Sequence, residues 1–379
     1  MQLFIDRKKQ EVYRFKYPYI YYFFVAKKLA EKYSSVEDVR IEFEKLVENL
    51  HREDYANILI FITHHTKEVW VMENITQVLN TLFDNNDEAK LHKSDFKNLE
   101  DLMLKLSDVV IEQRVIKDER AKKNKKLDEI DRRAERARIV ELESSHNQKE
   151  FNELERASDV AEEEIDEDLI ESLSKVNKTF KSIEIAGQII RNRHSTLHKS
   201  TLQNLARCGI DSGLRFLDFF MNLVDESRES MINLFEESGI DNGEDENSAR
   251  EKANKFYVQM VFNIVGGIVL KVGNAIGSKE ASVIYEMIER EDKHESAAIS
   301  LIRLNIELQY KRSLNIDEIN KIVKKYRDNI FVVRLIKELV VQHIYMFPVK
   351  YQDKQKLSEI LNLSVKGQRR LDQIKRAKQ

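Results

Sequence analysis

The sequence predicts an all-α chain, and three observations carry that prediction. Only two prolines occur, Pro18 and Pro348, so 329 consecutive residues between them carry none. Glycine, the other common breaker, numbers only 10 in 379 residues. The remainder is rich in Leu, Ile, Glu, Lys and Arg, which helices accept at little or moderate cost. The expected architecture is two helical bundles, or an irregular helical array, joined by a long charged helix or linker. Its expected boundaries are an N-terminal helical domain at 1–116, a charged segment at 117–165, a C-terminal helical domain at 166–349 and a basic helical tail at 350–379.

The chain opens on YRFKYPYIYYFFVAKKLAE, from Tyr13 to Glu31. Val12 to Tyr17 alternates apolar and polar residues as a short strand does, and Pro18 suits a first helical turn, where a missing N–H costs little. A strand entering a helix this aromatic has no evident sheet partner upstream. The expectation is therefore that a segment precedes Met1.

Four helices follow from the apolar spacing. After the aromatic helix, Ser34 and Ser35 with Glu37 and Asp38 read as overlapping capping boxes for a helix reaching about Leu50. ANILIFIT, from Ala56, is nearly continuous apolar and reads as a buried helix because no strand partner is evident. Lys67 to Phe83 forms the next, closed by the Asp84-Asn85-Asn86-Asp87 turn. A long helix is expected from Asp95 through Val115. Its apolar face then ends.

Charge next becomes the organising feature. Residues 117–138 hold ten basic and six acidic side chains, whereas 155–171 hold nine acidic ones against Arg156 alone. This reads as a solvated helix and linker, because intermixed carboxylates cancel much of any attraction for phosphate. The second apolar half begins near Leu169, with one helix from Phe180 to Asn192 whose Gly187 would admit a close neighbour. Another carries Leu202 to Leu223. Phe256 to Gly277 is long enough to span a membrane, but Gln259, Asn263, Lys271 and Asn274 recur through it, so it reads as a core helix. Further helices are expected over Lys279–Leu308, Asp317–Tyr326 with Asn315 as its cap, and Phe331–Met346. Beyond Pro348, residues 350–378 hold nine basic and three acidic side chains but only Tyr351 as an aromatic. That composition argues against nucleic acid as a partner.

No catalytic constellation is present. G-x-x-x-x-G-K-[ST], G-x-S-x-G and H-E-x-x-H are all missing, and the acidic loop after Gly239 lacks the calcium-loop order. Glu48 with His51, and Glu291 with His294, have the E-x-x-H spacing of ferritin-like metal sites. Both lie in charged stretches that read as solvent faces. His194 and His198 are a pair at i, i+4 without a third ligand, His64 and His65 suit a helix C-terminus, and Cys208 reads as an inert core thiol. The expectation is no enzyme, no cofactor and no bound metal. With a single cysteine, a net charge of −3 and no leader-like apolar run, the expected location is the cytoplasm, off the membrane.

Phe15, Tyr17, Pro18, Tyr22, Phe23, Ala26 and Leu29 follow an F-x-F/H-x-x-x-x-x-Y-F-x-A-x-x-L pattern loosely, with the Tyr-Phe pair one residue early and Tyr in place of Phe or His at 17. In this they resemble the closing strand and helix of the winged-helix region that follows the nucleotide-binding core in STAND-type NTPases of the NACHT class. YANILIFITHHT from Tyr55, FKSIEIAGQIIRN from Phe180 and, more loosely, AIGSKEASVIYE from Ala275 are similar to the C-terminal helical arm of large bacterial members. The resemblance implies a non-catalytic sensor that reads a partner or trigger, in anti-phage defence, and relays it to a nucleotide switch outside this chain. It implies a protein partner, either the NTPase core or a trigger protein, and leaves self-association open. The implied interaction residues are Phe15, Tyr17, Tyr19, Tyr22 and Phe23. Two other readings stand beside it: a free-standing helical scaffold or adaptor, and a metal-dependent helical enzyme.

Overall fold

The computed structural model describes residues 2–5, 11–14, 17–97, 99–104, 106, 109–112, 114–126, 128–129, 167–243 and 245–365. Helices take up 77% of the described structure, so the class is all-α.

The first elements are strands. β1 (Gln2–Ile5) pairs antiparallel with β2 (Glu11–Arg14), with Leu3 opposite Tyr13 and Phe4 opposite Val12. The strand entering the aromatic helix therefore has an upstream partner within the chain, contrary to expectation. α1 (Pro18–Lys32), α2 (Glu37–Glu48), α3 (Glu53–His65) and α4 (Val69–Thr81) follow. The start of α2 is not boxed by serine: Val36 is its N-cap residue, without a side-chain bond, and Ser35 instead donates to the Lys32 carbonyl. The long helix expected from Asp95 is replaced by a 3-10 turn at Lys93–Phe96, a single turn α5 (Glu100–Met103) and β3 (Val110–Ile111). Its apolar residues still go inward, with Phe96, Leu99, Met103 and Leu106 all buried. A further helix, α6, covers residues 116–126. The rest of the charged stretch, 130–166, lies outside the described residues.

The second half holds α7 (Glu167–Arg193), α8 (Lys199–Glu226), α9 (Arg228–Asp241) and α10 (Glu246–Ile276). The helix expected over Lys279–Leu308 is two, α11 (Ser282–Glu291) and α12 (Ala297–Tyr310). Between them Asp292 accepts from the Ser296 and His294 backbone N–H groups, and Glu295 takes a φ of 50°. Ser296 then caps α12 through Ile299 N. α13 (Ile316–Lys325) is capped by Asn315 as expected, at 3.3 Å from Glu318 N. α14 (Ile330–Met346), α15 (Tyr351–Ile360) and β4 (Ser364–Val365) complete the described chain. The remainder of the basic tail lies outside it.

The fold does not separate first half from second. One compact unit combines residues 1–108 with 174–339, and the other combines 109–173 with 340–379. In the first unit, the segment after α4 is threaded among later helices. Arg215 of α8 donates to the carbonyls of Leu79 (2.6 Å) and Leu82 (3.1 Å), which α4 leaves free at its C-terminus. Ala89 N donates to Leu214 O, Ala297 N to Lys90 O, and Asn329 Nδ2 to Leu91 O. Phe83 and Leu91, both buried, adopt left-handed backbone at φ 53° and 56°. That conformation costs roughly 1 kcal/mol or more per side-chain-bearing residue and persists only where its surroundings hold it. Here the bonds to α8, α12 and the start of α14 do so.

α10 is the axis of this unit, packed on α8, α9 and α12. Among the described helices it alone is long and apolar enough to cross a membrane, and 56% of its most apolar stretch is buried against its neighbours. Glycines set two close approaches. An ideal Cβ on Gly187 would lie 1.9 Å from the Ala275 carbonyl oxygen, and one on Gly273 would lie 2.5 Å from Asn305 Nδ2. The carbonyls ending α10 are satisfied by side chains: Arg191 Nη1 donates to Ala275 O and Gly277 O, Tyr285 to Ile276 O and Tyr310 to Gly277 O. A cation at a helix C-terminus also complements its dipole.

In the second unit β3 runs parallel to β4, and the Tyr345 hydroxyl donates to Val110 O and accepts from Glu112 N. Arg114 lies 4.4 Å over the Tyr345 ring while bridging Glu112 and Glu119.

One buried carboxyl gives a pH prediction. Asp211 on α8 pairs with Arg207 at 3.0 Å, yet burial pushes its pKa up to about 6. Its folded-state value lies above the unfolded one, so the protonated form is favoured in the fold. Stability from this group is present below about pH 4 and lost as pH rises through 6. Asp211→Asn should therefore gain on the wild type between pH 4 and 7, by at most roughly 3 kcal/mol at about 1.4 kcal/mol per pKa unit. Urea denaturation across that range measures it.

Candidate functional site

The aromatic helix α1 begins with Tyr17 in extended conformation (φ −119°, ψ 119°) and Pro18 in the first turn. Its inward stripe is Tyr22, Ala26 and Leu29, at i, i+4 and i+7, which faces α3. The rings on the rest of its first two turns are partly exposed. Tyr17 is 45% exposed, Tyr19 55%, Tyr21 44%, Phe23 40% and Phe24 54%.

The proposed interaction residues thus divide. Tyr17, Tyr19 and Phe23 share the exposed region, with the Tyr17 and Tyr19 rings stacked at 5.6 Å. Tyr22 does not belong to it: at 4% exposure it is part of the core, because its position coincides with the stripe that α3 covers. Phe15 lies outside the described residues. Phe23 extends the region onto α3, meeting the Phe61 ring at 6.3 Å and the His65 ring edge-on at 4.6 Å. Next to them His64 lies 3.3 Å from Asn192 Nδ2, and burial, with His65 beside it, lowers its pKa. Tyr21 and Phe24 join the surface through their helical phase, opposite Tyr22 and Ala26. Phe61 and His65 join through tertiary packing, for which the sequence offers no local signal.

The region rests on a firm base. α7 ties down α2 through Lys178 to the Glu48 carbonyl, α3 through Lys181 to Glu53, and the connection from α3 to α4 through Arg193 to the carbonyls of Lys67 and Glu68. Arg193 is 7% exposed, and burial lowers its pKa.

The E-x-x-H pairs occupy surface positions. Glu48 and Glu291 are exposed, and the Glu291 carboxylate accepts from Gln203 Nε2 at 2.6 Å. Among the described residues no three His, Cys, Asp or Glu side chains are grouped to hold a metal. His194 and His198 fall in the turn between α7 and α8 rather than along one helix. Cys208 is half-buried on α8, and burial raises its pKa, which disfavours the reactive thiolate. A cleft of about 510 Å³ between the 87–99 segment, α8 and α10 is rimmed by Asp87, Asp218 and Asp225 over a floor that includes Phe96, Tyr257 and Val261. Asp218 there already accepts from Asn86 and Asn222.

No family model, no curated protein and no solved structure matches this chain.

Proposed function

We propose that this chain is a non-catalytic interaction region, the helical sensor arm of a STAND-type NTPase, and that it docks a protein partner on the aromatic face of α1. The observation that carries the reading is the exposure of five large rings within eight residues, Tyr17 to Phe24, on an otherwise well-packed helical unit. Exposed apolar patches mark interfaces, and tyrosine and phenylalanine bring large contact area at low entropic cost. The resemblance supplies the partner: a nucleotide-binding core that sends or receives a signal through α1, with anti-phage defence as the setting. The β1–β2 hairpin feeding directly into α1 is in keeping with the end of a winged-helix region. Burial of Tyr22 alone favours the scaffold reading.

The expected outcome of Tyr19→Asp with Phe23→Asp is a folded protein, destabilised by about 1 kcal/mol in denaturant through the lost Phe23 contacts with Phe61 and His65, that no longer captures its partner. Tyr22→Ala should instead cost roughly 3 kcal/mol by opening the core under α1. Equal loss of stability in both variants would place the exposed rings in the core and remove the docking surface.

A further inference from the structure

The outward face of α1 is divided along its length. With 100° between successive residues, Tyr17, Tyr21, Phe24 and Lys28 fall on one stripe at i, i+4, i+7 and i+11, opposite the buried Tyr22, Ala26 and Leu29. Lys27 and Lys32 flank Lys28, and all three lysines are exposed. Glu31 is the one carboxylate among them, 3.9 Å from Lys27. The face is therefore aromatic over its first two turns and cationic over its last two.

Resting on the docking reading above, we propose that the occupant of this face is an acidic amphipathic helix of the protein partner, which lays an apolar half against Tyr17, Tyr21 and Phe24 and carboxylates against Lys27, Lys28 and Lys32. A helix of equal length, roughly 22 Å at 1.5 Å per residue, would meet both parts at once. The chemistry separates this occupant from two others. Single-stranded nucleic acid puts a phosphate beside every base, which calls for cations interleaved with the rings. A helix lying on an anionic membrane carries its cations alongside the apolar stripe. Here they are gathered beyond one end of it.

Fluorescence anisotropy on the full chain tests the proposal. The probe is a labelled alanine-based helical peptide of matching length, with leucines on one face of its first half and glutamates on the same face of its second half. Saturable binding is expected, weakened at least tenfold by Lys27→Glu with Lys28→Glu at low salt, and with that difference largely lost in high salt. Tyr21→Ala with Phe24→Ala should weaken binding at every salt concentration. No saturable binding overturns the proposal. So does equal binding of a peptide with glutamine in place of glutamate, or tighter binding to phosphatidylserine vesicles or oligothymidylate. Partner capture that depends on Tyr19 and Phe23 but ignores the lysine reversals leaves the docking reading standing and removes this one alone.

Discussion

Arg303→Met is expected to destabilise the first unit by about 3–5 kcal/mol, the range for removing one member of a buried ion network. Arg303 sits on α12 at 8% exposure, with its guanidinium shared among Glu289, Glu307 and Glu318 from α11, α12 and α13. Burial works against its charge, but the neighbouring carboxylates of Glu289 and Glu318 outweigh it and raise the pKa. The cost of the substitution lies mainly with what remains: three acidic groups facing one another, with Glu289 also accepting from Ser300. Arg303→Lys should recover only part of the loss, because one ammonium cannot reproduce the planar fork. Urea denaturation at neutral pH provides the measurement. A loss below about 1 kcal/mol for Arg303→Met would mean that water reaches the network and screens it.

Gly187→Ala should be nearly as damaging, although it adds one methyl group. Its Cβ would lie 1.9 Å from the Ala275 carbonyl oxygen and 3.0 Å from Arg191 Nη1. Neither is a soft neighbour, since the first is backbone and the second is the donor that caps α10. α7 and α10 must move apart and the cap must stretch, at a cost of about 3 kcal/mol, the upper end for overpacking. Gly267→Ala is the control. It also lies inside α10, but nothing stands within 4 Å of its Cβ position, so a gain of about 0.5–1 kcal/mol is expected from helix propensity. If both substitutions behave alike, glycine content rather than the contact of α7 with α10 sets the stability.

These sites illustrate what a helical sequence discloses. Gly187 could be flagged from its place inside an apolar helix, and α8, α10 and α14 from long runs of apolar spacing. Local pattern suffices where an element extends over many turns. The break between α11 and α12 was hidden, because EREDKHES is a tolerable helix surface. The chain stops there for tertiary reasons, with Ser296 capping α12 and Ala297 N bonded to Lys90 O. The β1–β2 hairpin was missed since DRKKQ lacks the Asn-Gly or Asp-Gly signal of a tight turn. Joining of the two halves into one unit depends on Arg215, Ala297 and Asn329 reaching the 79–91 segment. No spacing rule sees partners more than a hundred residues apart.

The candidate surface was legible by composition and misread in one detail. Eight aromatic residues in a dozen stand out in any scan, but whether a given ring faces in or out depends on helical phase. Tyr22 repeats with Ala26 and Leu29, and that phase assigns it to the core.

The most direct test of the docking reading is co-expression of this chain with the P-loop protein encoded nearest to it in its genome, followed by co-purification with and without nucleotide. The expected result is a complex with the wild type that disappears with Tyr19→Asp and Phe23→Asp while the chain stays folded, with a cooperative melting transition only slightly lowered. A genome with no such neighbour, or a complex indifferent to those two substitutions, would contradict it.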